Sequence, residues 1–328
     1  MLNHFWWGSV FLMPVPLIVA LLAAGPFLLP DIKDTQAKSM DLLSAVLLIA
    51  GILAIIFGIK QMAQDGISLI ALLSTLPGFG IIFIFIQRQK KLELPLIDLK
   101  LFSNARFNAA LGALFIGIFS WSGMFLFVGQ YLQSVLGLGS FEAGLWMLPG
   151  ALGSVVLCML APIALKHFSR GVVITAGLLL LTTGIASLSL LTDNGLPLLV
   201  VAMVLMSAGC GLTVTVGIDL VLASAPAQKA GAAAGLSETS TGFGGALGVA
   251  ILGSVWNTLY RHDMDNSTGS AVSRDTIGGA IAEAHRLNDT GLLAQAKQAF
   301  IHSLHITSFL SACIIFVVAV LVAIKFSR

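Results

Sequence analysis

The sequence predicts an all-α integral membrane protein that crosses the bilayer several times. Of its 328 residues, 57% are hydrophobic and only 10% are charged, with a mean hydropathy of +0.99, whereas an ordinary soluble domain has about 25% charged residues. The segments 42–59, 67–86 and 172–191 contain no Asp, Glu, Lys or Arg, and each is long enough to cross a bilayer. This composition excludes a soluble enzyme, and a net charge of +2 without a basic face excludes nucleic acid as a partner.

Nine segments are predicted to span the membrane. They are expected to be helices, because a helix satisfies its own backbone groups in lipid and continuous apolar runs lack the alternation of an outer-membrane strand. The predicted spans are 10–29, 42–60, 67–86, 108–132, 143–165, 172–191, 197–223, 232–260 and 304–326.

The distribution of Lys and Arg predicts how these helices are oriented. One set of connections holds twelve basic residues and the other five, of which four lie in a single long loop. Long loops translocate largely regardless of charge, so the comparison for short loops is twelve against one, and the C-terminus is expected to be cytoplasmic. The twelve are Lys33, Lys38, Arg88, Lys90, Lys91, Lys100, Arg106, Lys166, Arg170, Lys229, Lys325 and Arg328.

Two connections are long. The segment 88–107 mixes charged and apolar residues, which predicts an amphipathic linker on the membrane surface and a domain boundary. The segment 261–303 is predicted to be an outside loop. It contains a candidate amphipathic helix with apolar residues at helical spacing, and a second apolar run follows it. The helix carries Ile277, Ala280, Ile281 and Ala284, and the second run carries Leu292, Leu293 and Ala296.

Five short motifs occur in order along the chain. They are WGSVFLMPVP at 7–16, PLIDLKLF at 95–102, QSVLGLGSFEAG at 133–144 followed by Leu148 and Pro149, ASAP at 223–226 and GGALGVA at 244–250. Together they resemble the fourteen-helix drug:proton antiporters of the major facilitator superfamily, in the branch that exports methyl viologen and quaternary ammonium compounds.

The resemblance places this chain on helices six to fourteen of that family, so that helices one to five are expected to be missing. It implies that 1–30 is the last helix of an N-terminal bundle and that 31–87 forms two linker helices. The segment 88–107 is then the amphipathic linker, and 108–328 is a C-terminal six-helix bundle with the outside loop 261–303.

The resemblance also implies a function. A bacterial inner-membrane protein of this kind exports small amphiphilic cations by alternating access in exchange for protons, with the proton gradient as energy source and no cofactor. No nucleotide-binding or hydrolase motif occurs in the sequence, so an enzyme is not expected. Two alternatives stay open: an inactive truncated fragment that needs a missing N-terminal bundle, or an exporter of a metabolite.

Two acidic residues fall inside predicted spans and are candidates for proton or cation coupling. An ionised carboxylate at depth costs about 2.5–3.5 kcal/mol on insertion scales, so such residues usually face a cavity. Glu238 stands among Ser237, Thr239, Ser240 and Thr241, and the resemblance places an acidic residue there. The competing interpretation is a protonated structural glutamate. Asp219 is close enough to a helix end to hydrate or to pair with a lysine, Lys229.

A lipophilic cation is best held by an apolar, aromatic cavity, because ring faces attract cations without a fixed counter-charge. The candidate cavity residues are Trp121, Phe125, Gln130, Gln133 and Trp146, with Trp121 first. Contact with lipid or a neighbouring helix is the alternative for each of them.

The remaining candidates are structural. Pro149, Gly244, Gly245 and Gly248 are expected at helix contacts or hinges. The three cysteines, Cys158, Cys210 and Cys313, are expected to be packing residues. His302 and His305 stand one helical turn apart, but the sequence offers no further ligands and predicts no metal site.

Overall fold

The structure is a computed structural model. It describes residues 8, 12, 14–28, 41–65, 69–92, 95, 99–226, 229–265, 267 and 269–327. These residues are almost entirely helical and contain no β-strand, and the predicted fold class is confirmed. Two compact units are distinguished, 1–40 and 41–328. In the first, the described helix is α1 (Val15–Leu28), which is apolar throughout.

The second unit begins with a pair of helices, α2 (Leu42–Asp65) and α3 (Leu69–Lys91), which pack against each other. Glycine allows the approach: a Cβ atom on Gly51 would lie 2.7 Å from the side chain of Ile82, and one on Gly78 would lie 2.8 Å from that of Ile55. Helix α2 also contacts a helix that lies later in the chain, Ala230–Met264. Helix α3 extends to Lys91, so the first residues of the predicted linker 88–107 are the end of this helix.

Asp41 joins the two helices of this pair by polar contacts. Its Oδ1 accepts the backbone N–H of Ser44 at 3.3 Å, in the first turn of α2, and its carboxylate accepts Arg88 Nε and Nη2 of α3 at 3.0 and 3.2 Å. Gln89 Nε2 donates to Ser44 Oγ at 2.7 Å within the same contact. The hydrogen bonds from Arg88 and then Ser44 lower the pKa of Asp41 from about 3.8 to about 2.

We expect Asp41→Asn to lower the melting temperature of the purified chain by a few degrees at neutral pH, because the first turn of α2 loses a charged cap and Arg88 loses its partner. The pKa of the folded state is depressed, so the stabilisation is fully present above about pH 3.8 and is lost as the pH falls towards 2. Melting curves in detergent at pH 7, 4 and 2 measure this. A difference between variant and parent that persists unchanged at pH 2 would contradict it.

The rest of the second unit is a six-helix bundle with two short helices inserted before its last member. Its helices are α4 (Ala105–Gln130), α5 (Ser140–His167), α6 (Arg170–Ser187), α7 (Leu196–Ala223), α8 (Ala230–Met264), α9 (Ala271–Asp275), α10 (Ile277–Leu287) and α11 (Thr290–Ser327). A 3₁₀ turn (Leu99–Ser103) precedes α4, a π-helical turn (Tyr131–Val135) follows it, and a 3₁₀ turn (Leu188–Leu190) follows α6.

The bundle has α4 and α7 at its centre. Helix α7 packs against α4, α5 and α6, while α4 also contacts α8 and α11, and α11 closes the bundle against α6. The core is apolar, with Phe107, Tyr131, Phe127, Tyr260 and Phe300 among its largest fully buried side chains. Helix α5 buries little of its surface and contacts mainly α7.

Eight described helices are long and apolar enough to cross a membrane. The remaining predicted span, 10–29, lies partly outside the described residues, and within them α1 contains the apolar segment Val15–Gly25. Several helices also extend past their predicted ends: α8 reaches Met264, and α11 begins at Thr290 instead of at 304. Hydropathy identifies the part of a helix that lies in lipid, whereas the helix itself continues where its backbone stays bonded.

The segment 261–303 is therefore mostly helical. The predicted amphipathic helix is confirmed as α10, and its residues Ile277, Ala280 and Ala284 are buried. The second apolar run forms the first turns of α11, where Asp289 Oδ1 accepts the backbone N–H of Leu292 at 3.0 Å, so this helix begins before the predicted span 304–326. The side chain and backbone of Ser270 donate to Glu283 and lower the pKa of its carboxyl.

Candidate substrate cavity and acidic residues

A cavity of about 590 Å³ lies between α4, α5 and α7. Helix α4 contributes Ile118, Trp121 and Phe125, so two of the five predicted cavity residues line it. No charged side chain is among its lining residues. The space is therefore apolar and aromatic.

The indole of Trp121 is held in place by two contacts. It stacks on Phe125 with ring centroids 4.8 Å apart and planes 23° from parallel, and its Nε1–H donates to Ser207 Oγ of α7 at 3.5 Å. The hydrogen bond satisfies the polar atom of an otherwise apolar side chain.

The walls from α5 and α7 carry small and weakly polar side chains. Ser154 and Cys158 of α5 face Cys210 and Gly211 of α7, and Thr215 Oγ1 donates to Cys158 Sγ at 3.3 Å. Cys158 and Cys210 line the cavity, and Cys210 is also buried in the apolar core, as the packing role predicted from the sequence requires. The signal was present in the sequence, since small and polar residues recur at helical spacing along both helices.

The other predicted cavity residues lie elsewhere. Trp146 is 41% exposed on α5 and is not among the lining residues. Gln130 and Gln133 stand at the end of α4, beside the π-helical turn, where Gln133 Nε2 donates to Gly129 O at 3.3 Å. Sequence spacing could not show that these glutamines lie away from the cavity, because the π-helical turn changes the direction in which side chains point after Tyr131.

Glu238 lies on a stripe of α8 that none of the described residues of the bundle covers. Its side chain is exposed, and a Cβ atom on Gly231, Gly235 or Gly242 would meet nothing within 4 Å. Within the described ranges no hydrogen bond or ion pair of the carboxylate is found. Glu238 does not line the cavity of Trp121.

The hydroxyl groups beside Glu238 do not bind its carboxylate. Ser237 and Thr239 donate to carbonyl oxygens one turn earlier in α8, at 3.0 and 2.8 Å, and Thr241 donates to the carbonyl oxygen of Glu238 itself at 3.0 Å. Ser240 Oγ donates to Leu111 O of α4 at 3.2 Å. The polar run that the sequence suggested as a site is therefore mostly satisfied by backbone.

Asp219 forms an ion pair near the end of α7. Its Oδ2 accepts Arg170 Nε, from the first residue of α6, at 2.7 Å, and both side chains remain about half exposed. The sequence interpretation had offered water or Lys229 as its partner and missed Arg170, which is distant in sequence.

The predicted packing glycines lie where α8 crosses α4. A Cβ atom on Gly244 would lie 2.7 Å from the carbonyl oxygen of Phe115, one on Gly248 would overlap that of Phe119, and one on Gly245 would lie 3.2 Å from Ser122 Oγ. Pro149 lies inside α5, which continues past it to His167.

We expect Gly248→Ala to destabilise the bundle by about 1–3 kcal/mol, because the added methyl group forces α8 away from α4. Gly242→Ala, on the exposed stripe of the same helix, is the matched control and should leave stability unchanged or slightly higher, since alanine favours helix. Thermal unfolding in detergent measures both. Equal effects of the two substitutions would refute the role of close packing.

The two histidines of α11 have separate partners. His302 Nδ1 lies 2.6 Å from Asp263 Oδ2 at the end of α8, and His305 Nε2 lies 2.7 Å from the carbonyl oxygen of Leu191. Among the described residues no group of three or more His, Cys, Asp or Glu side chains could hold a metal ion.

A bundle of membrane-spanning helices around an uncharged cavity defines an integral membrane protein of the transporter class. The chain belongs to the Major Facilitator Superfamily, whose sequence profile matches residues 1–249.

Three relatives illustrate the likeness. The chain is 33% identical to the multidrug efflux pump LfrA of Mycolicibacterium smegmatis, over all of this chain and 67% of the relative. It is 28% identical to the methyl viologen resistance protein SmvA of Salmonella typhimurium, over 94% of this chain and 65% of the relative. It is 29% identical to the tetracenomycin C resistance and export protein of Streptomyces glaucescens, over 77% and 48%. The chain thus spans about two thirds of the length of the first two.

Proposed function

We propose that this chain supplies the linker helices and C-terminal bundle of a proton-coupled exporter of amphiphilic cations, including quaternary ammonium compounds, that works by alternating access. The observation that carries the proposal is the uncharged cavity between α4, α5 and α7, with Trp121 stacked on Phe125.

The cavity suits a cation that is itself lipophilic. Ring faces attract such a cation with about 0.5–2 kcal/mol, depending on desolvation, and they do not impose the rigid geometry of an ion pair. Apolar walls from α5 and α7 accommodate hydrocarbon substituents of different shapes. The names of two relatives, a multidrug efflux pump and a methyl viologen resistance protein, agree with this substrate class.

Glu238 is the proton carrier in this proposal. It stands apart from the cavity, so proton and substrate are coupled through movement of helices and not through direct competition for one carboxylate. Helix α4 provides the link, since Phe115 and Phe119 meet α8 at the glycine contact while Trp121 faces the cavity. Protonation of Glu238 removes its charge. This change alters the free-energy cost of placing its stripe of α8 against lipid, water or another bundle.

The helix ends that hold Arg106, Lys166 and Arg170 are here called the basic end. By the distribution of Lys and Arg, we propose that the basic end faces the cytoplasm of a bacterium and that the protein lies in its inner membrane.

Transport is best measured in proteoliposomes with an imposed proton gradient. The chain is assayed alone and as a chimaera preceded by helices one to five of a relative, because cavity walls in such carriers come from two bundles. We expect gradient-dependent movement of methyl viologen by the chimaera. No transport by either protein would contradict the proposal, and transport by the chimaera alone would show that the bundle needs a partner.

Trp121→Ala in the active protein should raise the substrate concentration for half-maximal transport by about 5- to 30-fold, because a desolvated cation–π contact is lost. Trp146→Ala is the matched control, since Trp146 does not line the cavity, and Trp121→Phe should restore part of the affinity. Equal effects of the substitutions at 121 and 146 would show that Trp121 does not contact the substrate.

Glu238→Gln should abolish gradient-driven transport while substrate binding remains, because glutamine cannot exchange a proton. Glu142→Gln, in the exposed first turn of α5, is the control and should transport normally. Binding of a fluorescent cation, followed beside transport, separates loss of coupling from loss of the site. Unchanged proton-driven transport by Glu238→Gln would refute the coupling role.

The second candidate is an exporter of a metabolite, which the likeness to the tetracenomycin C resistance and export protein favours. The uncharged cavity admits neutral aromatic molecules as well as cations. Competition of methyl viologen transport by neutral aromatic compounds of similar size distinguishes the two, since a cation exporter should be inhibited mainly by cations.

A further inference from the structure

Two adjoining cavities lie at the basic end, away from the cavity of Trp121. The first, here called the arginine pocket, has a volume of about 420 Å³, and Arg106, Arg170 and Leu220 are among its lining residues. The second, here called the α6–α11 groove, has a volume of about 440 Å³. Ser169, Gly171 and Phe326 line both, so the two spaces lie side by side.

The arginine pocket carries an excess of positive charge. Arg170 uses its Nε–H for Asp219 at 2.7 Å, which leaves its other guanidinium N–H groups available and fixes the plane of the group. Arg106 is exposed, and no acidic partner of it is found in the part of the chain that the structure describes. Two guanidinium groups line the pocket and only that of Arg170 is paired with a described carboxylate, so the site favours an anion with several acceptor oxygens, such as a phosphate diester.

The α6–α11 groove is apolar. It begins beside the arginine pocket and runs along the lipid-facing side of α6 and α11. Its walls include Val172, Ala176 and Leu179 of α6 and Ala323 of α11. From Gly171 to Leu179 the helix rises about 12 Å, at 1.5 Å per residue. Gly171 lies between the two spaces in close contact with Phe326, since a Cβ atom there would overlap the side chain of Phe326.

We propose that this composite site binds an anionic phospholipid, with its phosphate on Arg106 and Arg170 and one acyl chain in the α6–α11 groove. Its position suits this occupant, since the pocket is formed by the ends of membrane-spanning helices, where lipid headgroups lie. A soluble anion would use the arginines but leave the groove to lipid, and an uncharged lipid would use the groove but not the arginines. Because the charged pocket and the apolar groove lie side by side, one molecule with both parts matches them better than two separate ligands.

Native mass spectrometry of the purified chain in detergent tests the proposal, with dioleoyl phosphatidylglycerol and dioleoyl phosphatidylcholine as probes. We expect phosphatidylglycerol to bind more tightly, and Arg106→Gln to weaken its binding by about fivefold, the effect of one basic residue near an anionic lipid surface. Lys166→Gln is the matched control, since Lys166 lies exposed at the end of α5 but does not line the pocket. Equal binding of the two lipids, or equal loss in the two variants, would overturn the proposal.

A second variant tests the groove. Ala323→Trp, at an exposed position, should fill the groove and weaken binding of dioleoyl phosphatidylglycerol while leaving the dihexanoyl form, whose short chains do not reach along it, unchanged. Titration with inorganic phosphate alone tests whether the arginines bind a soluble anion instead of a lipid headgroup. Saturable phosphate binding to lipid-free protein, or no effect of Ala323→Trp on the long-chain lipid, would show that the site is an anion site and not a lipid site.

Discussion

At Gly177 and Gly184 there is no room for a side chain between α6 and α7, and the position of the cavity wall follows from that contact. A Cβ atom on Gly177 would lie 2.6 Å from Thr213 Oγ1, and one on Gly184 would lie 2.5 Å from the backbone nitrogen of Met206. In lipid the hydrophobic effect does not drive helices together, so close contact between small residues supplies the attraction. With α7 fixed against α6, its other side presents Cys210 and Gly211 to α5, and the cavity lies beside them.

Close contact through glycine residues also fixes helix α4, on the opposite side of the bundle. The carbonyl oxygens of Phe115 and Phe119 meet glycines of α8, whereas Trp121 and Phe125 point to the cavity. In the proposed mechanism, a movement of α8 at its glycine contact shifts or rotates α4, because a packed interface has discrete arrangements and does not deform continuously. The cavity and the stripe of Glu238 are thus separate in space but share one helix between them.

The sequence predicted the fold well and the site only in part, for physical reasons. Lipid imposes a length and a composition on each span, so the prediction 197–223 differs from α7 by a single residue at one end. Outside lipid this constraint disappears, and the start of α11 at Thr290 was missed. Trp121 was found because an aromatic residue stands out in a helix. Partners between helices, such as Arg170 for Asp219, depend on packing that hydropathy does not contain.

The separation of charge from the cavity constrains the chemistry more than any single residue does. A carboxylate inside an apolar cavity would bind a cation strongly and release it slowly. Each time the site emptied, the unpaired carboxylate would also have to remain desolvated at a cost in free energy. Here the lining is uncharged and Glu238 lies on an exposed stripe of another helix. In the proposed exporter, the cavity therefore selects substrates by their shape and by contact with ring faces, and the energy of the protons reaches the substrate as a change in helix packing.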